Sequence, residues 1–208
     1  MLSPILLPIV TLLRVTGEGE VFFVQTRVGR GGVNFNLYKF ATMLKDSPNM
    51  GTGTVTVKND PRVLPVGRFL RKTKINELPQ LLNVLVGDMS VIGPRPQARR
   101  CFEAFPLASQ AEITKVRPGL SGLGSIVFRN EEDLMDESGD PDAFYDEVVM
   151  PYKGALEQWY VANRNIVSYF GLIFVTIWIV LRPRSRLVWH MFDDLPAPCG
   201  ALAEALYK

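Results

Sequence analysis

The chain has 208 residues, with 23 Lys and Arg against 21 Asp and Glu, a net charge of +2. At 47 % apolar it is long enough to bury a core as one domain with an appendage, which excludes a disordered chain and a polytopic membrane protein. Two cysteines and one histidine exclude a disulfide framework, a four-cysteine zinc site and a His-rich metal centre, and the near-zero charge predicts no general affinity for nucleic acid.

The N-terminal run Leu2 to Leu13, LSPILLPIVTLL, is too short to cross a bilayer, whose core needs about 20 helical residues. Pro4 and Pro8 each remove a helix hydrogen bond and predict kinks. Two readings stand: a buried N-terminal element, or a segment that enters the bilayer and turns back. Val21 to Gln25 reads as a strand, Arg27 to Gly32 as a turn, and Phe35 to Met43 as a second strand, together a β-hairpin. The glycines of that turn lack the spacing of a P-loop or a dinucleotide fingerprint. Gly51 to Lys58 reads as a loop or short edge strand, and Asp60-Pro61-Arg62 as a turn. Val66 to Arg71 then begins a basic amphipathic stretch.

The sharpest helical signal is Thr73 to Val86, TKINELPQLLNVLV. Ile75, Leu78, Leu81, Leu82, Leu85 and Val86 form a stripe at helical spacing, which predicts a helix with that stripe in the core. Asn76 is the expected N-cap, Pro79 fits the first turn, and Glu77 sits at the positive end of the helix dipole. Arg71, Lys72 and Lys74 gather at the same end, where phosphate binds well. Farther on, Arg95 is held between Pro94 and Pro96, so its guanidinium is placed for bidentate phosphate recognition or is a solvated turn residue. Arg117-Pro118-Gly119 repeats that theme.

Charge is segregated along the chain. Nine basic residues against three acidic ones fall between Lys58 and Arg100, and nine acidic residues with no basic one between Glu131 and Glu147. The basic block attracts phosphates or lipid headgroups, whereas the acidic run reads as a solvated loop or helix face. Asn165 to Leu181 carries no charge over seventeen residues, which as a helix is about 25 Å, borderline for spanning. Its eight β-branched residues would equally suit a buried strand, while Trp159, Tyr160, Trp178 and Trp189 near charged flanks suit a membrane interface. After Pro183 the tail shows no clear period beyond a short helix at its end, and carries no assigned chemistry.

The run KNDPRVLPVGRFLRKTKINELPQLLNVLVGDMSVIGPRP, Lys58 to Pro96, is flanked by VFFVQTRVGRGG and LYKFATM upstream and by KVRPGLSG downstream. These motifs resemble the bacterial sugar transferase family, the monotopic polyprenyl-phosphate phosphoglycosyltransferases, over about Leu2 to Leu181. The resemblance implies an α+β fold: a small membrane-associated, monotopic domain of short strands and amphipathic helices with a truncated re-entrant N-terminal helix. Its expected parts are a membrane-inserted segment over 1–16 and a catalytic domain over 17–182, with an interfacial segment over 165–181. A tail over 183–208 follows. Ser3-Pro4 matches the helix break of the re-entrant segment, before which family members usually carry further residues.

The resemblance also implies a reaction. A phosphosugar passes from a UDP-sugar to undecaprenyl phosphate, releasing UMP and starting a surface glycan such as an exopolysaccharide, O-antigen or glycoconjugate. The implied cofactor is Mg2+, and the implied location is the cytoplasmic face of the bacterial inner membrane. UDP-sugar, undecaprenyl phosphate and membrane lipid are the implied partners, and a homodimer is compatible with them. Glu77 matches the family's Mg2+-binding Glu. Asn76 stands where the family commonly has its nucleophilic Asp, and an amide forms no stable acyl phosphate. Three explanations stay open: Glu77 or another carboxylate attacks, transfer is direct and in line, or the protein is a catalytically impaired, membrane-docked scaffold. Arg71, Lys72, Asp88, Arg95 and Arg117 are the expected substrate-phosphate residues. Lys39-Phe40 match a KF strand motif in which Ala41 replaces an Arg.

Overall fold

The structure, a computed structural model, describes residues 3–16, 18–50, 59–129, 131, 134, 141–183, 185–198, 200, 202–203 and 206. The expected loop at Gly51 to Lys58, Cys199 and most of the acidic run between Glu131 and Asp140 lie outside the described residues. The architecture is α+β, with two small two-stranded sheets among short helices. No described helix is long and apolar enough to cross a membrane.

Helix α1 spans Ser3–Val15, and its helical assignment runs through Pro8. Pro4 falls in the first turn, where a missing N–H costs no helix bond. Leu13, at its last turn, is buried with Phe40 and Leu70 in a small core that also takes Ile9, Val10 and Ile75. The hairpin expected from the sequence is present. Strand β1 (Phe22–Val28) pairs antiparallel with β2 (Asn34–Phe40), from Phe22↔Phe40 to Val28↔Asn34. At its turn Gly31 and Gly32 both take positive φ, 69° and 74°, which side chains with a Cβ rarely adopt. Beyond β2, Met43 bridges Val63 rather than extending the strand.

Asp60 and Arg62 form a buried ion pair at 2.5 Å, and Arg62 also donates to the carbonyls of Ser47 and Met50. Arg62 is therefore spent on holding this turn, although it counts within the basic block. Helix α2 (Pro65–Lys72) follows, packed so closely on Thr42 that a Cβ on Gly67 would lie 2.1 Å from the Thr42 carbonyl oxygen.

The single helix expected over Thr73 to Val86 is two pieces. Lys74 takes the left-handed conformation (φ 59°) and reverses the chain into a 3-10 turn, Ile75–Glu77. Helix α3 then runs only over Gln80–Val86, with no side-chain cap. Asn76 thus caps nothing. The expected burial holds at the head of the stripe, where Ile75 and Leu78 pack on the small core, and is inverted along α3: Gln80 and Asn83 are buried, like Asn76 before it, while Leu82, Leu85 and Val86 are exposed. Asn83, fully buried, accepts from the Tyr38 N–H and donates to the Asn36 carbonyl, tying α3 to β2.

Past Gly87 (φ 90°), strand β3 (Ser90–Ile92) pairs in parallel with β4 (Gly119–Ser121). This pairing presses the two Arg-Pro turns together. The Gly93 N–H donates to Ser121 and the Gly119 N–H to Pro94. A Cβ on Gly119 would lie 2.1 Å from the Gly93 nitrogen, and one on Gly122 would lie 2.0 Å from the Gly93 oxygen. The backbone of Arg95 is fixed by contacts that only glycine allows.

Short helices α4 (Arg99–Glu103), α5 (Leu107–Ile113), α6 (Leu123–Val127) and α7 (Pro141–Phe144) lead through a π turn into α8 (Met150–Asn163). Helix α9 (Ile166–Leu181) starts on a complete capping box, Asn165 with Ser168, which settles the strand-or-helix alternative for this segment as a helix. Helix α10 (Leu187–Met191) folds back onto it. The main core joins Phe102, Leu123, Met150, Leu156, Leu172 and Val175. Val188 and Leu202 of the tail are buried in that same core, so the described tail residues do not form a separate unit.

Candidate active site

Four segments converge on one cation-lined cavity of about 460 Å³: β1 brings Arg27, β2 brings Lys39, the 3-10 turn before α3 brings Asn76, and the turn after β3 brings Arg95. Arg71, from the end of α2, and Tyr145 complete the wall. The 3-10 turn sets Glu77 against Arg95, whose Nη2 lies 3.4 Å from Glu77 Oε1. Burial alone would raise the Glu77 carboxyl. The charges of Arg95, Lys39 and Lys74, with the Arg95 hydrogen bond, outweigh burial and push it down to about 2. Burial, with Arg27, Arg95 and Arg71 close by, pushes Lys39 down to about 7 against the pull of Glu77. Arg27 falls to about 10, first through burial and then through Arg95. Arg27, Lys39, Arg71 and Arg95 gather cations in one place, an arrangement that gains from a multiply charged anion.

Arg95 also lines a second cavity of about 310 Å³ with different walls, and Glu77 lines it too. Leu78, Val91 and Ile126 meet Ile173, Ile177 and Val180 of α9 there, while Lys74 and Arg129 supply charge beside Glu77 and Arg95. Arg95 therefore stands where a polar cavity adjoins an apolar one, with Glu77 on the apolar side.

Behind Arg95 lies a buried support. Glu157 of α8, 1 % exposed, accepts the Arg95 backbone N–H at 3.2 Å, and its other carboxylate oxygen has no partner. Burial raises its carboxyl to about 7 despite the neighbouring N–H donors and Lys153. Lys153 reaches Glu131 at 2.6 Å and lies over the Phe128 ring. A Cβ on Gly124 would stand 2.5 Å from Glu157 Oε1, so this contact too requires a glycine.

Of the expected site residues, Asn76, Glu77, Arg71 and Arg95 are brought together. Lys72 is exposed at the end of α2 and lines neither cavity. Asp88 accepts from the Asn83 side chain at 3.4 Å and lines neither cavity, so its visible contact supports α3. Arg117 lines a third cavity with Tyr160 and Arg164 and is not part of the Glu77 site. Ser3 and Pro4 lie in the first turn of α1. Lys74 stands in the basic group the sequence places at the helix start, whereas Arg27, Arg129 and Glu157 are not singled out by the sequence. Arg27 and Lys74 carry a signal in their flanking turns, whereas Glu157 is one acid in an unremarkable helix.

Among the described residues no three His, Cys, Asp or Glu side chains cluster as a metal site. Asn76 Oδ1, however, is buried without a hydrogen-bond partner beside Glu77. An unpaired amide oxygen and a neighbouring carboxylate in the chain are hard-oxygen donors of the kind Mg2+ takes, together with water and phosphate oxygens.

The family model described as Bacterial sugar transferase matches residues 1–183. The chain is 40 % identical over 140 residues to the UDP-N-acetylgalactosamine-undecaprenyl-phosphate N-acetylgalactosaminephosphotransferase of Aeromonas hydrophila, covering 65 % of this chain and 32 % of that protein. It is 41 % identical over 140 residues to the UDP-glucose:undecaprenyl-phosphate glucose-1-phosphate transferase of Klebsiella pneumoniae, covering 66 % and 30 %. With the exopolysaccharide production protein PSS of Rhizobium leguminosarum bv. phaseoli it shares 35 % identity over 184 residues, 85 % of this chain and 86 % of that one. The chain thus spans about a third of the first two relatives and most of the third. With the family match running from the N-terminal helix through α9 and enclosing every residue of the Glu77–Arg95 site, the chain belongs to the bacterial sugar transferase family.

Proposed function

We propose that the chain transfers a phosphosugar from a UDP-sugar to undecaprenyl phosphate, releasing UMP, at the cytoplasmic face of the bacterial inner membrane. The observation that carries this reading is Arg95, which lines both a cationic cavity and an apolar one and is ion-paired to Glu77 on the apolar side. A nucleotide diphosphate fits the first, and a lipid chain ending in phosphate fits the second. Helix α9 supports the location: Ile166, Phe170, Phe174, Ile177 and Leu181 form an exposed apolar stripe at helical spacing, suited to lying in a lipid interface.

Mg2+ would be held by Glu77 and Asn76 Oδ1, and when bound it would neutralise diphosphate charge as a Lewis acid. The residues of the chain do the rest. Arg95, Lys39 and Arg27 bind the diphosphate and offset the charge that builds on the departing UMP. Asn76 offers no nucleophile. Among the described residues, the carboxylates lining the two cavities are each ion-paired: Glu20 with Lys45, Glu77 with Arg95, Glu131 with Lys153. With no Asp at position 76, direct transfer is the reading put to the test. An oxygen of the acceptor phosphate bonds to the β-phosphorus, the bond from that phosphorus to the bridging oxygen breaks, and UMP leaves with the bridging oxygen.

The test is UMP release by the purified protein with Mg2+ and a panel of UDP-sugars, with and without undecaprenyl phosphate. UMP only in the presence of acceptor is expected. A stoichiometric burst without acceptor, with phosphosugar bound to the protein, would overturn direct transfer. No UMP with any sugar would overturn the transferase reading in favour of a silent scaffold, a reading that Asn76 itself motivates. UMP release gained by Asn76→Asp would then identify the lesion.

A further inference from the structure

The third cavity, about 460 Å³, lies where α8 ends and α9 begins. Arg117 enters it from the Arg-Pro-Gly turn, and Arg164 from the C-terminal end of α8. Both are exposed, and among the described residues neither forms an ion pair. The tyrosines of the wall use their hydroxyls within the protein: Tyr160 donates to the Ile92 carbonyl, and Tyr169 meets Ser90. The cavity's polar character therefore comes from two unpaired guanidinium groups, a match for one phosphate or phosphodiester. Its rim is of opposite character. Ile166 and Phe170 line the cavity and are 77 % and 63 % exposed, and Val167 beside them is 81 % exposed.

A paired positive charge under an apolar rim matches a lipid headgroup continued by acyl chains better than a soluble anion, which would leave the rim in water. We propose that this cavity binds the phosphodiester headgroup of an anionic phospholipid through Arg117 and Arg164, anchoring the start of α9 at the membrane surface. The site is separate from the two Arg95 cavities, since neither arginine lines them. It rests on the membrane location proposed above and adds to it a lipid class and two ligands.

The experiment is flotation of the whole protein with vesicles of phosphatidylcholine alone or with a third of the lipid as phosphatidylglycerol. The wild type is expected to bind the neutral vesicles through its apolar stripe, and the anionic ones roughly ten- to thirtyfold more tightly, as two basic residues at a charged surface supply. Arg117→Gln/Arg164→Gln is expected to lose that increment and keep the neutral binding. Arg117→Lys/Arg164→Lys retains part of it, because the charge survives while the fork is lost. An unchanged increment in the Gln variant overturns the proposal and leaves the membrane location standing. Abolition of the increment by millimolar inorganic phosphate identifies a soluble-anion site and overturns the lipid assignment. Failure of the wild type to bind either vesicle overturns the membrane location and this site with it.

Discussion

Glu77→Gln separates an electrostatic role for this carboxylate from a merely steric one. Glutamine keeps the volume and a hydrogen-bond acceptor but removes the charge facing Arg95, Lys39 and Lys74. The Glu77 carboxyl is pushed down from its ordinary 4.5 to about 2, so the folded state prefers the ionised form by roughly two and a half pH units. At about 1.4 kcal/mol per unit this is at most about 3 kcal/mol at neutral pH. Only 14 % of the side chain is exposed, which limits solvent screening. Lys39, already pushed down to about 7, can shed its proton once Glu77 is neutral, and this offsets part of the loss. A depressed carboxylate contributes fully above its unfolded value and loses its contribution as pH falls through its folded one. The wild type should therefore exceed Glu77→Gln in stability at pH 7, and the two should converge between pH 4.5 and pH 2. Urea unfolding in detergent micelles across that range measures it. A difference that stays constant with pH, or no difference at pH 7, would refute the electrostatic account.

Three further substitutions test the scaffold. Asn83→Ala strands the Tyr38 N–H and the Asn36 carbonyl, and should lower stability by about 2–4 kcal/mol as a drop in the unfolding midpoint. Gly67→Ala drives a Cβ to 2.1 Å from the Thr42 carbonyl oxygen, so α2 must part from the chain after β2. A loss of about 3 kcal/mol or failure to express folded protein is expected, and a wild-type midpoint would contradict it. For Glu157 the sign is opposite to that of Glu77. Its folded value is raised from 4.5 to about 7, so wild-type stability falls as pH rises through that window, by at most about 3 kcal/mol, and Glu157→Gln should flatten the profile.

The sequence made the local elements readable where local chemistry decides them. The hairpin follows from β-formers around a glycine turn, and Glu77 with Arg95 from a basic block interrupted by prolines. What it hid depends on distant contacts. Lys74 breaks the expected helix because the chain must turn there to bring Glu77 onto Arg95, and no helix propensity encodes that demand. Arg117 resembles Arg95 in local sequence, yet the parallel pairing of β3 with β4 sends the two into different cavities. Glu157 and Gly124 meet only because α6 packs on α8.

Helix α3 shows why the apolar stripe misled. Reading a stripe as core assumes that water covers the opposite face. Here the opposite face, Gln80 and Asn83, is needed inside, as is Asn76 in the 3-10 turn before it. Asn83 pairs backbone groups of β2, and Asn76 presents an oxygen beside Glu77. Burying a fully exposed Leu or Val is worth about 1.5–3 kcal/mol, so leaving Leu82, Leu85 and Val86 in water forgoes several kcal/mol. The outward-facing stripe of α9 forgoes more. At the proposed membrane location, lipid against these faces would recover that free energy and leave the polar faces free to build the site. On the proposed location, one constraint therefore accounts for both the inverted helix and the bare stripe: the apolar face is matched to lipid, and the polar face to the chemistry.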